Sequence, residues 1–186
     1  MGSDISNKVL RYGKTTPFSM RFKLKKYLWL LINRSIFRFI PPPFIKPRLF
    51  LLRIFGASIH SSANVARSAV VSCPWNLVMG KDSSICDGAW VDNLTTVELE
   101  DNAIVGQQAV ILTGTHNIFD ATYPLVLKPV KLEYGVWVTT RCIILPGVSI
   151  GPLTVVGAGS VVVRSIPGGM VYAGNPAIEL RKREIE

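Results

Sequence analysis

Over long stretches of this chain every sixth residue is a branched aliphatic. The register runs Ile59, Val65, Val71, Leu77, slips by two residues, and resumes as Ile85, Val91, Val97. It slips again to Leu99, Val105, Ile111, breaks, and returns as Leu132, Val138, Ile144, Ile150, Val156, Val162. Four positions after an anchor the residue is usually small: Ala63, Ala69, Ala89, Thr95, Ala103, Ala109, Cys142, Thr154, Ser160. A period of six fits neither an α-helix nor a half-buried strand. It fits a parallel β-helix whose coils have three flat faces, one hexapeptide each, stacked so that each coil buries what its neighbour leaves open. The anchors then predict about three turns before the break and two after. Gly106, Gly151 and Gly157, each one residue past an anchor, read as tight corners with positive φ. An all-β sandwich with chance periodicity is the alternative, and six anchors in unbroken register weigh against it.

Before Gly56 the pattern changes. Residues Phe18–Ile40 are expected to be helical and to stop at Pro41-Pro42-Pro43, since proline lacks the amide donor and restricts its predecessor. On a helical wheel Arg21 and Lys25 share one side while Lys23, Arg34 and Arg38 fall elsewhere, so no single apolar face stands out. The longest uninterrupted apolar run there, Tyr27–Ile32, is far short of the roughly 20 residues a membrane span needs. A signal peptide is not expected either, because no small-residue cleavage site follows. Met1-Gly2 with Ser6 fits the N-myristoylation pattern formally, but the pattern is short and a cloning remnant is the plainer reading.

Charge sharpens this division. The net charge of +9 is uneven: Met1–Gly56 holds twelve Lys and Arg against Asp4 alone, and Ala57–Glu186 holds nine against eleven acids. An N-terminal module so basic points to an anionic partner. Nucleic acid is disfavoured, because the basic residues are interleaved with large aliphatics and no recognition module is present. Two readings stay open for the helix: packing on the β-helix or on a neighbouring subunit, and peripheral docking at a membrane surface. The isolated Cys73, Cys86 and Cys142 fit a reducing, cytoplasmic setting and read as small buried apolar residues. The chain is therefore expected to divide into a basic helical extension (1–56), a β-helix domain (57–178) with a protruding loop at 113–131, and a basic tail (179–186).

The stretch ILPGVSIGPLTVVGAGSVVVRSIPGGMVYAGNPA, from Ile144 to Ala177, resembles the closing coils of hexapeptide-repeat acyltransferases, with PGV, GAGS and AGNPA in order and at family spacing. Upstream, LLRIFGASI, CPWNLVMG, VDNLTTVELEDNAIVGQQAVILTGTHN and KPVKL resemble the narrower group of colanic acid and exopolysaccharide acetyltransferases. The likeness covers about 51–182. It departs at Val138-Thr139-Thr140 and at Gly151-Pro152-Leu153. It implies a left-handed β-helix, a homotrimer with active sites between subunits, and an acetyl-CoA-dependent O-acetyltransferase whose acceptor is a sugar or lipid-linked saccharide. Acetylation of a hydroxylated xenobiotic such as an antibiotic, and a non-catalytic β-helix assembly module, are the competing readings.

Transfer of an acetyl group to a hydroxyl needs a base, and imidazole is the side chain suited to that near neutral pH. The chain has two histidines. His116 opens the long interruption, where a cleft can form, and the resemblance places the catalytic histidine there. Its ring could be held by Asp92, Glu133 or a backbone carbonyl. His60 reads as a corner residue. Two imidazoles cannot supply the three that γ-class carbonic anhydrases use for zinc, so no metal is expected. The resemblance puts Asn93, and with less weight Asp92, in the acceptor pocket, with Tyr123 among the apolar loop residues that complete it. For coenzyme A it points to Thr139, Thr140, Gly157, Ala158 and Pro176, with Arg181 and Lys182 placed to meet the phosphates.

Overall fold

Short strands stack in parallel on three faces in the computed structural model, which describes residues 17–184. The first face runs Ser58–Ile59, Leu77–Met79, Val97–Leu99, Val130–Leu132, Ser149–Ile150. The second runs from Asn64–Val65 through Ser84–Ile85, Ile104–Val105, Trp137–Val138 and Val155–Val156 to Met170–Gly174. The third runs Val70–Val71, Trp90–Asp92, Val110–Leu112, Ile143–Ile144, Val161–Val162. Each strand pairs with the one a turn later, which makes a parallel β-helix: three turns, an excursion, two more turns, and a partial sixth where Ile166 bridges Ile150. Every anchor named from the periodicity is buried, none more than 9 % exposed. The register slips are widened corners. Leu77 and Met79 both point inward, and they pair with Val97 and Leu99 one turn on.

The expected glycine geometry was wrong. Gly106, Gly151 and Gly157 are absent from the positive-φ positions. They are small because the next turn lies against them: a Cβ on Gly106 would sit 2.7 Å from the backbone carbonyl of Val138. Positive φ falls instead three residues past an inward anchor, at Asp82, Asn102, Gln108, Arg141 and Leu153, and at glycines such as Gly88.

The helical extension is α1 (Met20–Arg34), α2 (Ile36–Phe39) and α3 (Ile45–Ile54). The single helix expected to Ile40 breaks at Ser35, whose hydroxyl donates to the Leu31 carbonyl. α3 was not anticipated; its proline, Pro47, sits in the first turn, where no amide donor is needed. These helices close the open edge of the first turn. Arg53 donates to the carbonyl of Ile59, Arg48 to that of Val65 (2.9 Å), and Trp29 Nε1 to that of Val71 (2.6 Å), one on each face. Those edge carbonyls would otherwise invite another strand. Arg48 is buried, which lowers its pKa, and its remaining nitrogens reach the carbonyls of Pro41 and Pro42. Trp29, Phe37, Leu49 and Leu52 join the β-helix core, so the extension shares a core with the coils and is not a separate domain. Packing on the β-helix, one of the two readings held open, is thus seen directly.

The C-terminal boundary also differs from expectation. Residues Ala177–Lys182 form a strand antiparallel to Met170–Gly174 rather than a tail beginning at 179. Arg183 Nη1 donates to the carbonyls of Gly135 and Leu153 at 3.0 Å, which pins the residue after this strand to earlier turns. The Met1-Gly2-Ser6 pattern lies outside the described residues. Among those residues no helix is long and apolar enough to cross a membrane. Cys73 and Cys142 are buried and Cys86 is half-buried. Burial pushes the Cys73 thiol up to about 11 and raises that of Cys86, the opposite of a reactive thiolate.

Candidate active site

Thr113 anchors the excursion. It is fully buried; its amide and hydroxyl both donate to the Asp92 carbonyl, and its hydroxyl oxygen accepts from the Thr95 amide. Its own carbonyl accepts from Lys128 N, so both limbs of the excursion are tied to one residue. Gly114–His116 then pairs antiparallel with Leu125–Leu127, with Gly114 opposite Leu127 and His116 opposite Leu125. The protruding element is therefore a hairpin, and the coil resumes at Val130 rather than beyond Lys131.

His116 ends the first limb, half-buried, with Nδ1 2.6 Å from the carbonyl oxygen of Tyr123. A carbonyl only accepts, so Nδ1 carries the proton and Nε2 is the basic nitrogen of the neutral ring. Of the three holders considered, the backbone carbonyl is the one observed. Tyr123 has φ +46°, left-handed for a bulky residue, a conformation that costs roughly 1–3 kcal/mol. The hairpin tip enforces it: Tyr123 N donates to the Asp120 carbonyl and Asn117 N to that of Pro124. The Asp120 carboxylate accepts from the amide and hydroxyl of Thr122, which hold its pKa below the ordinary value. Tyr123 was singled out for its side chain; its carbonyl also holds the His116 ring. Thr113, Asp120 and Thr122 were missed, although Asp-Ala-Thr at 120–122 is a turn signature.

Asn93 requires a correction. It is 0 % exposed, its Oδ1 accepts from Cys73 N at 2.8 Å, and its Nδ2 donates to the Cys73 carbonyl at 2.6 Å. Both ends of the amide close a corner of the previous turn, so the side chain does not face an acceptor pocket. Asp92 sits beside it on the strand Trp90–Asp92, half-buried, its carbonyl holding Thr113.

The expected coenzyme residues gather on consecutive turns. Thr139 N donates to the Val156 carbonyl and Gly157 N to that of Tyr172, so Thr139, Gly157 and the closing hairpin stack in one column. The Thr139 hydroxyl donates to the Val156 carbonyl, and the Thr140 carbonyl accepts from Gly159 N. Gly157 is small because a Cβ there would lie 2.9 Å from the Cβ of Ala173. Ala158 is exposed, as are Pro176 at the hairpin turn and Arg181 and Lys182 on the last strand. His60 lies apart from this column, its Nδ1 bonded within its own corner to Ser62. Among the described residues no group of three or more His, Cys, Asp or Glu could hold a metal ion.

No family model matches the chain. It is 31 % identical over 160 residues, 86 % of this chain and 88 % of the other, to WcaF of Escherichia coli K12, a protein named for acetyl transfer in colanic acid biosynthesis. The solved maltose O-acetyltransferase of Clostridium difficile 630 superposes with a TM-score of 0.81 at 26 % identity, covering 90 % of each chain. A hexapeptide-repeat acetyltransferase of Vibrio cholerae, solved with acetyl coenzyme A, superposes at 0.78 and 22 % identity, covering 90 % of this chain and 91 % of its own. With the six-residue coils, the hairpin interruption and a relative this similar along most of both lengths, the chain belongs to the hexapeptide-repeat acetyltransferase family.

Proposed function

We propose that this protein moves the acetyl group of acetyl-CoA to a hydroxyl of a sugar or lipid-linked saccharide in surface polysaccharide assembly, with His116 as general base. The observation that carries this reading is the bond from His116 Nδ1–H to the Tyr123 carbonyl, which makes Nε2 the proton-accepting nitrogen. The acceptor hydroxyl gives its proton to Nε2 as its oxygen attacks the thioester carbonyl. The tetrahedral oxyanion then collapses, the carbon–sulfur bond breaks, and the departing thiolate takes the proton from the imidazolium. No covalent enzyme intermediate is needed, in keeping with the raised thiol of Cys73. The names of WcaF and of the maltose enzyme support a saccharide acceptor, and the Vibrio cholerae complex supports the donor.

The working unit in this reading is a homotrimer. The hairpin tip carries Ile118 and Phe119, 71 % and 94 % exposed, which suits cover by a neighbouring copy at the acceptor site. Asp92 and the ring of Tyr123 are the acceptor contacts that remain. The test is release of coenzyme A from acetyl-CoA across a panel of nucleotide sugars and lipid-linked oligosaccharides, with the mass measured by light scattering in the same preparation. Release with a hydroxylated sugar and a trimeric mass are expected. No release with any acceptor, together with no thermal stabilisation by coenzyme A, overturns the reading.

Thr139, Thr140, Gly157 and Ala158 would flank the pantetheine, with Pro176 on the adenine side and Arg181 and Lys182 at the phosphates. Replacing Arg181 and Lys182 with alanine is then expected to raise the KM for acetyl-CoA more than it lowers kcat, because phosphate contacts serve ground and transition states alike. An unchanged KM would move the coenzyme away from the closing hairpin.

A further inference from the structure

The helical cap has two apolar sides, and the β-helix uses only one. At about 100° per residue, Phe22, Trp29 and Asn33 lie on the side of α1 that meets the first turn. Trp29 and Asn33 are buried, and the Phe22 ring packs edge-on to Trp75 at 5.4 Å. Met20, Leu24, Tyr27, Leu28 and Leu31 lie on the opposite side, within an arc of about 100°, a stripe as wide as a core-facing one. They are 49–77 % exposed. Arg21 borders this stripe on one side, and Lys23 and Arg34 border it on the other. Farther along, Ile36, Phe39, Pro41, Phe44 and Pro47 line an apolar groove of about 550 Å³ between α2 and α3.

From Pro17 to Gly56 there are nine Lys and Arg and no acid. Three have work inside the protein: Arg48 and Arg53 cap edge carbonyls, and Lys25 lies over the Trp75 ring at 4.3 Å. Lys26 is half-buried, and Arg21, Lys23, Arg34, Arg38 and Lys46 remain at the exposed surface. A second copy of this face set against the first would bring like charges together with no carboxylate between them. An anionic phospholipid surface supplies acyl chains for the stripe and phosphates for its cationic borders. We infer that this face docks on a membrane containing anionic phospholipid, with the β-helix held beside the bilayer. The inference is independent of the acceptor's identity.

The test is co-sedimentation of the full chain with vesicles of phosphatidylcholine alone and of phosphatidylcholine mixed with phosphatidylglycerol. Pelleting with the mixed vesicles only, weakening as salt rises, is the expected result. The variant Leu24→Glu, Leu28→Glu, Leu31→Glu should weaken binding roughly tenfold or more while keeping its unfolding temperature and its stabilisation by coenzyme A. Arg21→Glu, Lys23→Glu, Arg34→Glu should do the same. Failure of the unmodified chain to pellet with mixed vesicles overturns the inference, as does undiminished binding by the leucine variant. A fall in mass of the vesicle-free leucine variant would assign the stripe to a second copy instead.

Discussion

Replacing His116 with alanine is expected to lower kcat for acetyl transfer about 10²–10⁴-fold, the usual worth of a positioned general base. The unfolding midpoint and the KM for acetyl-CoA should stay close to those of the unmodified protein. The ring is half-buried at the end of a hairpin limb, and the hairpin keeps its backbone ladder and its ties at Thr113 without it. The loss alone would not separate a base from a residue that merely props up Tyr123. His116→Gln separates them: its amide can still donate to the Tyr123 carbonyl, but it has no basic nitrogen. It should be as slow as alanine in a steady-state assay of coenzyme A release. Near-full turnover by His116→Ala overturns the mechanism, and recovery in His116→Gln would reduce the histidine to a positioning residue.

The coils were legible because a β-helix core is one side chain wide at each level. Each inward position must therefore be filled by its own hexapeptide, and the period is written directly into the sequence. Every anchor from Ile59 to Val162 proved buried for that reason. The corners were less legible. Gly106 looked like a turn residue, yet its small size answers to the Val138 carbonyl one turn away, a contact 32 positions along the chain that no local pattern encodes. The cap was misjudged for a related reason. α1 buries Trp29 on one side and presents Leu24 and Leu28 on the other, so its two apolar faces cancel in any search for a single one.

At the candidate site, the sequence singled out His116 as a base to be tested but did not reveal what holds its ring. The His116 bond is made by a backbone carbonyl, and every residue has one; what selects Tyr123 is its left-handed φ at the hairpin tip. Asn93 failed in the opposite direction. A polar amide one coil before the loop that carries His116 invites a substrate role, and nothing in the sequence reveals that Cys73, one turn earlier, takes both its ends.

Asn93→Ala should accordingly act on stability rather than on acceptor binding. Removing the amide strips the Cys73 N–H of its partner in a place closed to water, while the Cys73 carbonyl keeps the amide of Asn76. A buried backbone donor left unpaired costs roughly 1–3 kcal/mol, and a loss of about that size is expected. The corner has a second surviving brace, Asn76 Nδ2 donating to the carbonyls of Asn93 and Leu94, which outlasts the substitution because it uses backbone acceptors. The coil should therefore loosen without losing its register. Asn93→Asp does not rescue it: one oxygen can still accept from Cys73 N, but the other faces the Cys73 carbonyl with nothing to donate, and the carboxylate is buried. Urea denaturation and the acceptor KM, measured on the same preparation, decide between the roles. A residue that binds the sugar would raise KM at unchanged stability; a residue that closes the corner lowers the denaturation midpoint and leaves the KM of the remaining folded enzyme near its original value.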